Sequence, residues 1–218
     1  MSSRPPRPSA IAEALYGADR ALMLHHFPRA VRPAIAALWA VDEAMASVVA
    51  EATQPALGAI KLAWWAEALA RLDTAPPPPE PRLQAVLTEL IPLGITGTDV
   101  AGIEPGWRAL LDETPEVAEV AIRGQVLFVL TARLIEAEDP LLDDAGALFA
   151  VGDALHRGFA LPDERGRIIE RLAGRRIGRA ARPVTLAARL AARDPGEAEA
   201  TPGRAFALIA HRLTGTLS

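Results

Sequence analysis

The sequence predicts an all-α protein, a shortened single-domain helical bundle. Half of its 218 residues are hydrophobic and only 5% are aromatic, and a chain dominated by alanine and aliphatic side chains favours helices over sheets. Apolar residues recur at intervals of three and four in several long segments, which is typical of amphipathic helices. No run with a period of two is long enough to predict a sheet.

The clearest helix is predicted over residues 29–49, where Leu38, Met45 and other apolar residues recur at helical spacing. A second helix is predicted over residues 55–72, because its first residue is a proline and the first turn of a helix tolerates proline. The proline-rich stretch 73–81 predicts an extended connector, since each proline fixes its backbone and lacks a donor.

Further helices are predicted, each beginning next to a proline, a glycine or acidic residues. Gly124 stands inside an apolar segment, which predicts that another backbone approaches closely there. The predicted segments are 83–93, 99–111, 116–135, 141–155, 162–177, 183–193 and 202–213.

The chain is predicted to form one helical domain over residues 10–218 after a flexible tail over residues 1–9. The tail contains three prolines and no apolar core of a signal peptide. No later window has about 18 uninterrupted apolar residues, the length that a membrane span needs. We therefore expect a cytoplasmic protein, with peripheral contact to a membrane as an open alternative.

Composition excludes several classes of function. The sequence contains no cysteine, which rules out disulfide scaffolds, thiolate metal sites and cysteine nucleophiles. With 23 basic and 27 acidic residues the formal net charge is −4, so the chain lacks the positive field that nucleic-acid binding requires. We expect no nucleic-acid partner.

The histidines and acidic clusters give no clear metal site. His25 and His26 are adjacent, so on a helix they diverge by about 100° and do not share a metal. Asp139 and Asp143 have the four-residue spacing of Mg²⁺ ligands, but Pro140 lies between them. Acids that stabilise the start of the next helix explain the cluster equally well, and both interpretations stay open.

One segment, residues 165–182, is strongly basic. Seven arginines face a single acid, Glu170, and four isoleucine or leucine residues are interleaved with them. This pattern is typical of a solvated face, and also of segments that contact an anionic membrane or a diphosphate group.

Several short sequence patterns in the chain occur in the same order as in a known protein family. Weaker ones lie at 81–87, 124–134 and 145–151, and the more specific ones are Ala37-Leu38-Trp39-Ala40, Gln54-Pro55-x-Leu57-Gly58 and Trp64-Trp65. Over about residues 19–162 the chain resembles the squalene/phytoene synthase family, head-to-head prenyl transferases with an all-α isoprenoid-synthase fold. The resemblance implies that fold here.

Enzymes of this family use two aspartate-rich motifs to hold Mg²⁺ against the diphosphates of their prenyl substrates. By the resemblance, Ala46 and Ala50 stand at the two acidic positions of the first motif, and Asp153 is left alone near Arg157 in the second. An alanine methyl group cannot coordinate a cation. The resemblance therefore implies a degenerate member, and we predict no catalytic residues, no metal ligands and no cofactor.

The leading functional hypothesis is a non-catalytic protein that binds an isoprenoid, another lipid or a protein partner. The family's non-catalytic branch, which includes relatives implicated in assembling respiratory complex I, is the analogy for the protein partner. The resemblance places the walls of an apolar cavity, the expected ligand-binding residues, at Asp42, Ala46, Val49, Ala50, Gly124 and Phe128.

Two alternatives stay open. The first is an active, Mg²⁺-dependent prenyl transferase that uses relocated acids, either Asp42 with Asp153 or the cluster at 139–144. The second is a helical scaffold at a membrane surface that makes its contact through Arg165 to Arg182.

Overall fold

A computed structural model describes residues 17–162 and 164–217 of the chain. Within these residues every regular element is a helix, and no strand occurs. This confirms the all-α prediction, and the bundle is consistent with the isoprenoid-synthase type. The predicted tail 1–9 lies outside the described residues.

From residue 17 onwards, the N-terminal half contains a short helix that the sequence analysis did not predict, followed by the two long helices that it did. The second long helix is followed by the proline connector, which contains no helix as far as Glu80; its last residue, Pro81, begins the next helix. The bounds are α1 Ala18–Leu24, α2 Arg32–Ala50, α3 Pro55–Arg71, α4 Pro81–Ala85, α5 Gly97–Ala101 and α6 Glu104–Arg108.

Two predicted helices in this half are less regular than expected. The segment 83–93 continues α4 as a π-helical turn, Val86–Leu90, and a 3₁₀ turn, Ile91–Leu93, because Pro92 has no N–H to donate to the preceding turn. The segment predicted from Asp99 starts earlier: Thr96 is the N-cap of α5, and Asp99 completes a capping box with it.

The C-terminal half contains the predicted apolar helix pair and three shorter helices. The segment predicted over 162–177 is helical only over residues 165–172: the backbone becomes extended at Ala173, and Gly174 follows with a φ of 72°, in the left-handed region. The bounds are α7 Val117–Leu134, α8 Leu142–His156, α9 Arg165–Leu172, α10 Leu186–Ala191 and α11 Pro202–Thr214.

Helices α7 and α8 make the most extensive helix pair of the bundle. Gly124 and Gly146 face each other at their crossing, and a Cβ on either glycine would overlap the backbone of the other. The close approach predicted from Gly124 is confirmed. It brings Arg123 on α7 against the face of α8 that carries Phe149 and Asp153.

Within the described residues, one segment, Arg29–Ala50, is long and apolar enough by length and composition to cross a membrane. However, 56% of its most apolar window is buried inside the protein, and the core helix of a water-soluble bundle passes the same test. Its buried face contains Leu38, Asp42, Met45 and Val49, spaced to form one stripe. The helix therefore places a carboxylate in the centre of the bundle.

Candidate functional site

Six charged side chains meet in the centre of the bundle, and we call them the central network. They come from α1, α2, α7, α8 and the residue that follows α8, so the network ties together helices distant in sequence. Its members are Arg20, Asp42, Glu43, Arg123, Asp153 and Arg157.

Asp42 is the most deeply enclosed acid of the network and is fully buried. Its Oδ2 accepts a hydrogen bond of 2.8 Å from Nη2 of Arg20. Its Oδ1 accepts one of 2.8 Å from Nε1 of Trp107 and one of 3.4 Å from Nη1 of Arg123. Both carboxylate oxygens are therefore occupied by donors, which is what makes a buried charge tolerable.

Arg123 links the two acids of the centre and is itself fully buried. Its Nη1 reaches Asp42, while its Nη2 donates to Oδ2 of Asp153 at 2.8 Å and to the carbonyl of Ala150 at 3.2 Å. Its guanidinium carbon lies 4.0 Å from the ring centroid of Trp107 and 5.2 Å from that of Phe149. These aromatic faces stabilise the cation where water is excluded.

Arg157 closes the network on its outer side. Its Nε donates to Oδ2 of Asp153 at 3.0 Å, and its two terminal nitrogens donate to the two oxygens of Glu43 at 3.1 and 2.7 Å. This bidentate geometry is the strong form of an arginine–carboxylate pair. Burial alone would raise the pKa of Asp153, but Arg123, Arg157 and Arg20 outweigh it and hold that pKa well below its usual range.

The network is electrically balanced, with three arginines against three acids. Two buried side-chain atoms of the described residues have no hydrogen-bond partner, Nε of Arg123 and Oε1 of Glu104. Desolvation raises the pKa of Glu104, against the lowering effect of Arg108. The arrangement is thus a nearly complete internal set of ion pairs.

The residues of the central network do not fit the Mg²⁺ that the resemblance implies for active relatives. A hard cation requires carboxylate oxygens that are free to turn towards it. Here Asp42 and Asp153 already accept from arginines, and a divalent ion between them would lie beside the guanidinium of Arg123. Among the described residues, no group of three or more acidic or histidine side chains has the arrangement of a metal site.

The six residues expected to line an apolar cavity lie in different surroundings. Asp42 belongs to the central network, and Ala46 and Val49 are buried on α2. Ala50 is exposed at the end of α2. Gly124 and Phe128 are also buried: Gly124 packs on Gly146, while the Phe128 ring stacks on that of Phe149, with a centroid distance of 5.6 Å. Ligand binding at these positions stays a prediction.

The spaces around the network are small. A cavity of about 60 Å³ lies between the network and α11, lined in part by Arg20, Asp153 and Arg204. A second, of about 20 Å³, lies beside Phe128 and Phe149. Pockets for small organic ligands typically measure 300–1,000 Å³, so a prenyl chain would need the surrounding helices to separate.

The other groups considered from the sequence have structural partners. Asp139 accepts from the backbone of Leu141 and, at 2.6 Å, from that of Gly178. Asp143 and Asp144 lie in the first turn of α8, as the helix-start interpretation predicts. His25 follows α1 directly, at the C-terminal end of that helix.

Sequence reasoning singled out Asp42, Asp153 and Arg157. It assigned no site role to the other members of the network and to the indole that bonds to Asp42, which are Arg20, Glu43, Arg123 and Trp107. The missed signal was a charge in an apolar helix: Arg123 stands in an otherwise hydrophobic stretch of α7, where a buried cation needs an acid in another helix. Asp42 gives the same signal in the apolar stripe of α2.

Residues 14–96 match the family model of squalene/phytoene synthase. No curated protein and no solved structure matches the chain. The matched region contains Arg20, Asp42 and Glu43, whereas Arg123, Asp153 and Arg157 lie beyond it. The resemblance predicted from the sequence is confirmed for this region, and this part of the chain is squalene/phytoene synthase-like.

Proposed function

We propose that this squalene/phytoene synthase-like protein is non-catalytic and acts by binding a partner. The observation that carries the proposal is the state of the two central acids: Asp42 and Asp153 are both bonded to Arg123. Ionising a prenyl diphosphate requires concentrated positive charge from metal ions held by free carboxylates. Here arginines of the same chain occupy the carboxylates.

The chemistry of the centre supports a structural role for these charges. At neutral pH Asp153 stays deprotonated and Arg157 stays protonated. Nearby guanidinium groups hold the pKa of Asp153 low. Burial alone would lower the pKa of Arg157, but Asp153 and Glu43 raise it. A group with such a pKa is a poor general acid or base near pH 7. The same contacts join α1, α2, α7 and α8 and so stabilise the bundle.

The class of partner is suggested by the family's non-catalytic branch, in which assembly of respiratory complexes is one role. Under this proposal the helical bundle presents surfaces to another molecule, and the centre supplies rigidity. An isoprenoid or lipid ligand at Asp42, Ala46, Val49, Gly124 and Phe128 is compatible with the proposal if the bundle opens.

The test is turnover. Purified full-length protein is incubated with farnesyl or geranylgeranyl diphosphate, with and without Mg²⁺, beside an active squalene/phytoene synthase as positive control. Release of diphosphate and organic-phase products are both measured. We expect no release above the protein-free background in either condition.

Metal-dependent release with a coupled product would overturn the proposal. In that case two matched variants locate the chemistry: Asp153→Asn removes a central acid, whereas Asp143→Asn removes an exposed acid of the same helix. Activity lost only in Asp153→Asn would establish relocated catalytic acids. Activity retained in both would direct attention to other carboxylates.

A further inference from the structure

The outer face of α11 exposes an apolar stripe. Leu213 is 74% exposed, Phe206 72% and Ile209 53%. Their spacing of three and four residues puts them on one side of the helix. The opposite side of α11, with Ala207, Leu208 and His211, is buried against the bundle, so the stripe faces away from the protein.

A cluster of cations borders this stripe. Arg212 directly precedes Leu213 on α11. Arg182, which lies outside this helix, donates hydrogen bonds to the backbone carbonyls of Arg212 and Leu213 at 3.1 and 2.8 Å. Burial, and then the like charges of Arg182 and Arg179, lowers the pKa of Arg212. The same helix end therefore concentrates positive charge from two parts of the chain.

No acid balances this cluster among the described residues. Arg179 and Arg212 form no ion pair there, in contrast to Arg171, which pairs with Asp144 at 2.8 Å. They border an open groove of about 680 Å³, whose other walls are mostly apolar: Phe27, Pro28, Ile135 and Pro183. Since the protein as a whole has a formal net charge of −4, this local excess of positive charge is a distinct feature of one surface.

The basic segment 165–182 divides into two parts. In α9, Ile168 and Leu172 are buried, so these apolar residues are not available to a membrane. In the second part, Ile177 is also buried and its N–H donates to the carbonyl of Gly215. Near the later arginines of this segment, the exposed apolar side chains available to a bilayer are those of α11.

We propose that the outer face of α11, with Arg179 and Arg212, docks on the surface of an anionic lipid bilayer. Phe206, Ile209 and Leu213 enter the boundary between headgroups and acyl chains, and the arginines lie against lipid phosphates. Interfacial helices combine these two features, an apolar face and flanking cations. This inference does not depend on whether the centre of the bundle is catalytic.

The test uses co-sedimentation of the purified full-length protein with vesicles. We expect binding to vesicles of phosphatidylcholine with phosphatidylglycerol, weaker binding to pure phosphatidylcholine, and a decrease with added salt. Arg179→Gln and Arg212→Gln should each weaken binding about fivefold. Phe206→Ser combined with Leu213→Ser should weaken it about tenfold or more.

A matched control exists on α3, where Leu57, Ile60 and Trp64 form a second exposed apolar stripe. Ile60→Ser should leave vesicle binding unchanged, and circular dichroism should show every variant folded. Equal binding to neutral vesicles, or equal losses in Ile60→Ser and the α11 variants, would overturn the proposal.

Two other occupants of the outer face of α11, a second copy of the protein and free anions, would give different results in these experiments. If a second copy covers α11, light scattering will show a dimer that Leu213→Ser dissociates, and vesicles will not bind. If the cations take only free anions, inorganic phosphate will bind while anionic vesicles will not. Either result would contradict docking on a bilayer.

Discussion

The centre of the bundle and the outer face of α11 depart in opposite ways from the usual pattern of folded proteins, which bury apolar side chains and expose charged ones. The centre holds a network of six charged groups, of which Asp42 and Arg123 are fully buried, whereas α11 exposes Phe206, Ile209 and Leu213. The charges inside find partners within the chain, and the described part of the chain provides none for the apolar residues outside. Buried charges that are paired within the protein have an internal structural explanation, whereas an exposed apolar surface is the better candidate for a binding function.

The largest effect is expected in the centre. Asp42→Ala leaves Arg20 and Arg123 without their shared acid and removes the acceptor of the Trp107 N–H. Breaking a buried pair by removing one partner typically costs about 3–5 kcal/mol. We expect the free energy of unfolding, measured with urea, to fall by about that amount.

Glu43→Ala is the matched control for Asp42→Ala, because Glu43 is the next residue and joins the same network. Its side chain is 32% exposed, so loss of its pair with Arg157 should cost only about 1 kcal/mol or less. Equal losses of unfolding free energy in the two variants would show that burial does not distinguish the two acids. The contrast between the buried centre and the exposed face of α11 would then fail.

The second effect is expected at His211, on the buried face of α11 and opposite the exposed stripe. Its Nε2 accepts from the hydroxyl of Thr185 at 2.8 Å, and its Nδ1 donates to the carbonyl of Thr216 at 2.7 Å, a tautomer inferred from the fact that a carbonyl only accepts. Burial lowers the pKa of His211 from 6.5 to about 4, reinforced by Arg189, Arg182 and Arg212 and opposed by the bond to Thr216.

The pH dependence follows from this shift. Between pH 6.5 and about 4 the unfolded chain binds a proton at His211 that the folded protein does not, so the stability present above pH 6.5 is lost as the pH falls. The complete loss is roughly 3 kcal/mol. Unfolding in urea at a series of pH values should show this slope in the wild type and a smaller slope in His211→Gln. Identical slopes would contradict a buried neutral imidazole.

The helices of both regions could be predicted from periodicity, but the partners of their unusual residues could not. Residues 29–49 and 202–213 were predicted as helices, and the structure has α2 and α11 there. The pairing of Asp42 with Arg123, 81 residues away, depends on how helices cross, and a single sequence does not contain that information.

The sequence also did not show which apolar side of α11 is buried against the bundle. Leu208 and Ile209 are adjacent and chemically alike, yet the first is buried and the second is 53% exposed. Periodicity indicates that a helix has an apolar face, and only the packing of α1 and α10 against α11 decides which face is inside. The arginines beside the stripe were visible in the sequence, but their position next to α11 was not.

The smallest effect on stability is expected at the exposed stripe, and this makes it the sharpest contrast with the centre. Leu213→Ser removes an apolar side chain that is already in water, so it should change the free energy of unfolding by no more than about 0.5 kcal/mol. Leu208→Ser, on the buried face of the same helix, should cost several times as much, because it leaves a cavity and buries a hydroxyl. If Leu213→Ser instead destabilises the protein as strongly as Leu208→Ser, the outer face of α11 is covered in the free protein and is not available to a bilayer.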